Sequence, residues 1–143
     1  MVPLIDLSRR LQANSATFAA VVQQVMSSGS VLLGSQTIQF EEAFTRFAGT
    51  KYGVAVSSGA SALQLSLAAM GIGEGDEVIV PAMTAVPTAS AVCAVGARPV
   101  IVDIDDETAA IDFDLVEQAM TERTKAVIAV NLYGRPVDNL DKL

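Results

Sequence analysis

The 143-residue chain is 51% hydrophobic but only 5% aromatic, carries a formal net charge of −7, and contains no histidine and one cysteine. That inventory excludes Ser-His-Asp and Cys-His catalysis, histidine metal sites, an internal disulfide and a thiolate zinc centre; the scattered Lys and Arg form no basic patch, which argues against a nucleic-acid partner. The opening residues lack an apolar core behind a basic end and no run approaches ~18 apolar residues, so neither a secretory signal nor a membrane span is expected, and cytoplasmic residence is the default.

In chain order, Phe18, Val21, Val22, Val25 and Met26 recur at helical spacing and predict one helix face, ended by Ser27-Ser28-Gly29-Ser30. Phe40, Ala43, Phe44 and Phe47 predict a second helix with Gly49 as its C-cap. Short strands and helices then alternate. Residues 53–56 read as a buried strand, 60–70 as a helix, and Glu77-Val78-Ile79-Val80 as a strand closed by Pro81. Residues 85–95 read as a helix with Thr84 as N-cap and Pro87 tolerated in the first turn. Cys93, in the apolar run Ala91–Val95, is expected as a small buried core residue. Residues 99–103 follow as a strand. Asp112 caps a helix through Met120, with Ile111 and Val116 spaced as a hydrophobic staple. Residues 126–130 form the next strand, and 138–143 resemble the first turn of another helix. Strand-helix units in series predict an α/β fold with a mainly parallel sheet and right-handed crossovers.

Four segments invite chemistry. Ser57-Ser58-Gly59-Ala60-Ser61 passes into a helix, whose N-terminus offers unpaired N–H groups and a positive dipole end to a phosphate; small residues are also common at such turns for structural reasons alone. Gly71-Ile72-Gly73-Glu74-Gly75-Asp76 has glycine spacing like a dinucleotide fingerprint, but it follows a helix and precedes a strand, the reverse of the required context. Asp103, Asp105, Asp106 and Glu107 cluster at a strand end; a solvated loop is favoured over a metal site. Asn131-Leu132-Tyr133-Gly134-Arg135-Pro136 follows the last strand, where open α/β sheets bind ligands, and reads equally as a plain loop.

Taken in order, several motifs resemble the DegT/DnrJ/EryC1/StrS aminotransferases over essentially the whole chain. They are Pro3–Leu7, Leu32-Leu33-Gly34, Phe40–Phe44, Val56–Leu63, Gly73–Pro81, Gly96–Val100, Val102–Asp105, Thr121–Ile128 and Asn131–Pro136. The resemblance implies the N-terminal part of the large domain of a fold-type I transferase dependent on pyridoxal phosphate. Residues 1–143 would be an incomplete cofactor-binding domain, with 1–48 as an N-terminal helical segment. It further implies a homodimer, and amino transfer, usually from glutamate, onto a keto sugar attached to a nucleotide, with products destined for surface polysaccharides or antibiotic sugars. Gly59, Ala60 and Ser61 match the turn that holds the cofactor phosphate, and Asn131 matches a position near the cofactor ring that usually holds His. Family members commonly carry Thr at the place of Ala60. They carry a ring-stacking aromatic at the place of Ala85, so Met83 or another group must cover the ring here.

The family's Schiff-base lysine and the Asp that pairs with the pyridine nitrogen are expected beyond Leu143, so no catalytic residue is assigned within the chain and it is expected to be inactive alone. Lys51, Lys125 and Lys142 do not match the lysine motif, and two of them begin strands. Two further readings stand beside this one: a pyridoxal-phosphate-dependent sugar dehydratase of the same family, and a non-catalytic remnant or interaction module.

Overall fold

In the computed structural model, which describes residues 6–138 and 140, the chain divides into two units, Met1–Ala55 and Val56–Leu143. The first is helical: α1 (Leu7–Ala13), α2 (Ser15–Ser28) and α3 (Ser35–Ala48). Helix α1 was not marked by apolar periodicity; it starts at Asp6, whose carboxylate accepts from the Arg9 N–H. Gly29 and Gly49 end α2 and α3 in the left-handed conformation that glycine adopts without steric cost. The expected apolar faces are present, yet none of the described residues of this unit is buried.

The strand expected at 53–56 does not form. Val54 is 80% exposed, and the Ala55 N–H donates to the Glu41 carboxylate at 2.8 Å instead of joining a sheet ladder. A strand needs a partner edge, and α3 supplies this segment with a carboxylate instead. Gly53 passes so close to α3 that a Cβ there would lie 2.6 Å from the Thr45 hydroxyl.

The second unit is an α/β arrangement: α4 (Gly59–Ala69), β1 (Glu77–Pro81), α5 (Val86–Ala94), β2 (Arg98–Val102), α6 (Phe113–Ala119) and β3 (Thr124–Val127), then a short 3-10 turn over Leu132–Gly134. The three strands are parallel in the order β2-β1-β3, so β1 is central. Alternation along β1 divides the core. Val78 and Val80 pack with Leu67 of α4 and Val92 of α5, while Ile79 points the other way, to Val102, Ile111 and Val116 of α6. Helices therefore lie on both faces of the central strand β1, all five residues of which are buried, while β2 and β3 are only partly covered. Burying each of these aliphatic side chains contributes about 1.5–3 kcal/mol.

Two local expectations are corrected. Cys93 is exposed, because α5 buries Thr88, Ala91 and Val92 and turns Cys93 outward. The N-cap of α5 is Ala85, with no side-chain bond; the Thr84 hydroxyl meets the Thr88 hydroxyl at 2.7 Å one turn on. Asp112 does cap α6, accepting from Asp114 and Leu115 N–H, and Ile111 and Val116 are buried together. The helix turn expected at 138–143 falls largely outside the described residues.

At the amino ends of the strands lies a charged knot that sequence reasoning missed. Glu77 is 1% exposed, and its carboxylate meets Arg98 at 2.6 Å, Arg123 at 2.7 Å and the Thr121 hydroxyl at 2.8 Å. The Arg98 guanidinium, then the Thr121 hydroxyl and Arg123, hold this carboxyl below its usual range. One buried acid thus joins the starts of β1 and β2 to the turn that precedes β3.

Candidate functional site at the strand ends

The link Gly71–Asp76 returns the chain from the end of α4 to the start of β1, so α4 begins on the side where the strands end. Its first turn is built by three serines. The Ser58 Oγ caps the helix by accepting from the Ser61 N–H at 3.1 Å; the Ser61 hydroxyl lies 3.0 Å from that of Ser58 and 3.1 Å from that of Ser57. Ala62 N–H donates to the Ser58 carbonyl. The Gly59 and Ala60 N–H groups have no partner among the described residues. They are the donors left at the positive end of an 11-residue helix. A Cβ placed on Gly59 would meet nothing within 4 Å, and its φ is not left-handed. The position a side chain would take at Gly59 is therefore open.

The other sequence candidates lie at the same strand-end side but not in direct contact with this turn. Ala85 is exposed at the start of α5, and Met83, two residues before it, is 44% exposed. Asn131 follows β3, and its Oδ1 accepts from the Val137 N–H at 2.9 Å. Among the described residues, no hydrogen bond joins Ala85, Asn131 and the α4 turn.

Beside Asn131 the loops after the three strands enclose a cavity of about 200 Å³, lined by Met83, Thr108, Ala109, Ala110, Val130, Leu132, Tyr133 and Arg135. It is smaller than the ~300 Å³ at which pockets begin to bury a drug-sized ligand. Ala109 and Tyr133 in its wall have φ of 56° and 55°, a left-handed backbone that non-glycine residues rarely adopt. Nothing in the local sequence marks either residue for that conformation.

The acidic loop is occupied with itself. Asp105 Oδ1 accepts from the Thr108 hydroxyl and N–H at 2.7 and 2.8 Å and from Glu107 N–H, contacts that hold its carboxyl below the usual range, the Thr108 hydroxyl foremost. Among the described residues, no group of three acids and cysteines is placed to hold a metal ion. Lys125 sits in β3 with its Nζ donating to the Glu122 carbonyl, at the amino end of the sheet and away from the strand ends. Lys51 lies in the first unit over the Tyr52 ring, and Lys142 is outside the described residues.

Residues 12–143 match the DegT/DnrJ/EryC1/StrS aminotransferase family. The chain is similar to the UDP-2-acetamido-2-deoxy-3-oxo-D-glucuronate aminotransferase of Pseudomonas aeruginosa, 41% identical over 138 residues that span 96% of the chain and 38% of that protein. Among solved structures it is similar to Streptomyces venezuelae DesV in complex with a ketimine intermediate, at 42% identity and a TM-score of 0.94, over 99% of the chain and 38% of that one. It is also similar to NtdA from Bacillus subtilis with bound cofactor PMP, at 35% identity and a TM-score of 0.91, over 96% of the chain and 32% of that one. The chain thus spans under two fifths of the length of these relatives.

Proposed function

The chain belongs to the DegT/DnrJ/EryC1/StrS aminotransferase family, and from that premise we propose that it is the phosphate-holding part of a pyridoxal-phosphate-dependent aminotransferase acting on nucleotide-linked keto sugars. The single observation that carries the reading is the first turn of α4, where the Gly59 and Ala60 N–H groups have no partner among the described residues and nothing crowds Gly59. A phosphate dianion suits that place because the donors are fixed and the helix dipole favours negative charge.

When bound, pyridoxal phosphate supplies the aldehyde and the electron-withdrawing ring that amino transfer requires. In this reading, the chain's own residues bind and orient. Gly59 and Ala60 donate their N–H groups to the phosphate. Ser61, whose own N–H is taken by the Ser58 cap, contributes its hydroxyl. Ala85 leaves room at the ring's face, and Met83 is the nearest large apolar side chain on the same loop. Asn131 stands beyond the end of β3. In this reading amino transfer is assigned to a protein of the relatives' full length, as a homodimer with glutamate as donor.

Because Gly59 has an ordinary φ and a Cβ there would meet nothing within 4 Å, Gly59→Val is expected to fold, and in this reading its branched side chain crowds the phosphate. In the polypeptide expressed from its complete reading frame, absorbance titration should show pyridoxal phosphate binding lost or strongly weakened in Gly59→Val. Ala60→Thr, which adds a hydroxyl beside the phosphate, should tighten it by about 0.5–1.5 kcal/mol. A folded Gly59→Val protein that binds cofactor as tightly as the wild type would remove this turn from the site.

A further inference from the structure

The charged knot at the amino ends of the strands holds more cation than its acid neutralises. Arg98 Nη2 lies 2.6 Å and Arg123 Nη2 2.7 Å from the same Glu77 oxygen, Oε1, so two guanidiniums stand side by side across one atom. The other carboxylate oxygen accepts from the Thr121 hydroxyl at 2.8 Å. Among the described residues no other acid pairs with either guanidinium, Glu74 and Glu122 included. Asp76 is engaged elsewhere, its Oδ2 accepting from the Gly73 N–H at 3.0 Å. The Glu77 side chain is 1% exposed, whereas those of Arg98 and Arg123 are 62% and 65% exposed. One buried charge thus faces two cations that reach solvent, and a positive excess stands at the surface of a chain whose formal net charge is −7.

Both arginines are also fixed through their backbones. Arg98 N–H donates to the Asp76 carbonyl at 2.9 Å, the Arg123 carbonyl accepts from the Glu77 N–H at 2.8 Å, and Arg123 N–H donates to the Thr121 hydroxyl at 3.1 Å. With their heads held by Glu77, much of the cost of ordering them is met before a ligand arrives. A guanidinium carries five N–H donors in a planar fork. Beyond the contact to Glu77, neither head has a partner among the described residues. The two line an open cavity of about 420 Å³ together with Gly75, Gly96 and Ala97, and the Gly75 N–H has no partner among the described residues either. We propose that Arg98, Arg123 and the Gly75 N–H hold a phosphate group, free or as a monoester. A carboxylate offers its single pair of oxygens to one fork, whereas a phosphate dianion has three or more acceptor oxygens and a charge that two guanidiniums match. Bound there, the group ties the start of β2 to the turn before β3, over the buried acid. This site lies at the opposite ends of the strands from the α4 turn and does not rest on the cofactor reading.

Arginine modification by phenylglyoxal, mapped residue by residue through peptide mass spectrometry, tests this in the full chain. As inorganic phosphate is titrated against chloride of equal ionic strength, the reaction at Arg98 and Arg123 should slow saturably, by roughly tenfold at about ten times the half-effective concentration. Arg9, Arg10 and Arg46, exposed elsewhere in the chain, should react equally in both salts. Glycerol phosphate should protect the same two residues, and acetate should not. Arg123→Gln should abolish the protection of Arg98, and Arg123→Lys, which keeps a cation beside Glu77 without the fork, should weaken it roughly tenfold. Equal rates in phosphate and chloride at Arg98 and Arg123 of the wild type overturn the site without recourse to a variant. Protection shared equally by Arg9, Arg10 and Arg46 is a general salt effect and overturns it too. Equal protection by acetate overturns the choice of a phosphate group, and protection by inorganic phosphate without glycerol phosphate overturns the monoester.

Discussion

The two units of this chain use the same vocabulary to different ends. Helices α2 and α3 carry apolar residues at helical spacing, and Phe40, Phe44 and Phe47 even form a ladder with ring centroids 5.7 and 6.2 Å apart. No described residue there is buried, and Phe47 is 88% exposed. In the second unit, far less amphipathic segments produce fully buried Val78, Ile79, Val92 and Val116. Amphipathic spacing announces that a face can be covered; it does not supply the cover. Parallel strands bring their own, because each crossover lays a helix on the sheet it has just left.

The sharpest way to break that contrast is to truncate one large apolar side chain in each unit. Ile79→Ala should lower unfolding free energy by about 2–5 kcal/mol, since the cavity opens between β1 and α6. Phe47→Ala should change it by less than about 0.5 kcal/mol, as expected of an exposed position. Chemical denaturation of each variant, followed at the Val78–Val80 amides, makes the measurement. Equal costs at the two positions would mean that the units do not differ in packing as described.

A second probe concerns charge inside the packed unit. Because the partners of Glu77 hold its folded pKa below the usual 4.5, the acid contributes stability that is fully present above that value and is lost as pH falls through the lower folded value. Wild type should therefore exceed Glu77→Gln in melting temperature at pH 7, with the gap closing as pH drops below about 4.5. A gap independent of pH between 7 and 3 would show that the carboxylate's charge is not what holds the strand starts, a range chosen to bracket the glutamate value.

The smallest effect expected is at a helix cap. Asp112→Ala removes an acceptor from two N–H groups at the start of α6 and should cost about 0.5–2 kcal/mol. The matching change Asp6→Ala, at the cap of α1 in the unit where no described residue is buried, should leave the β1 amides unaffected in the same denaturation assay. Protection lost at β1 on changing Asp6 would overturn that expectation.

Much of the second unit was legible because its signals are local. The strand at 77–81, the helices on either side of it and the Asp112 cap each follow from spacing within a few residues, and so does the strand that became β2. The failures share a cause: each depended on a partner distant in sequence. Residues 53–56 had the composition of a strand but no neighbouring edge. Cys93 had apolar neighbours in the chain, but α5 turned its other face to the sheet. Nothing in the segment around Glu77 marks its burial, which depends on Arg98 and Thr121, 21 and 44 positions away. At the candidate site, the α4 turn could be anticipated because a helix N-terminus is a property of its own few residues. The bond between the Asn131 side chain and the Val137 N–H could not, since it depends on a residue six positions away and on that residue's place in the core.

Pro99 has a consequence for how this sheet behaves toward other chains. In β2, the Arg98 N–H donates inward to the Asp76 carbonyl, so with alternation the position of Pro99 directs its missing N–H outward, to the side away from β1. An incoming strand laid against that flank would find a donor absent near the start of the run Arg98-Pro99-Val100-Ile101-Val102. The three residues that follow, Val100, Ile101 and Val102, are β-branched, and Ile101 is 67% exposed, which is the composition of an aggregation template. A single imino acid, placed where the ladder to β1 does not need its nitrogen, makes that template a poor one for self-addition.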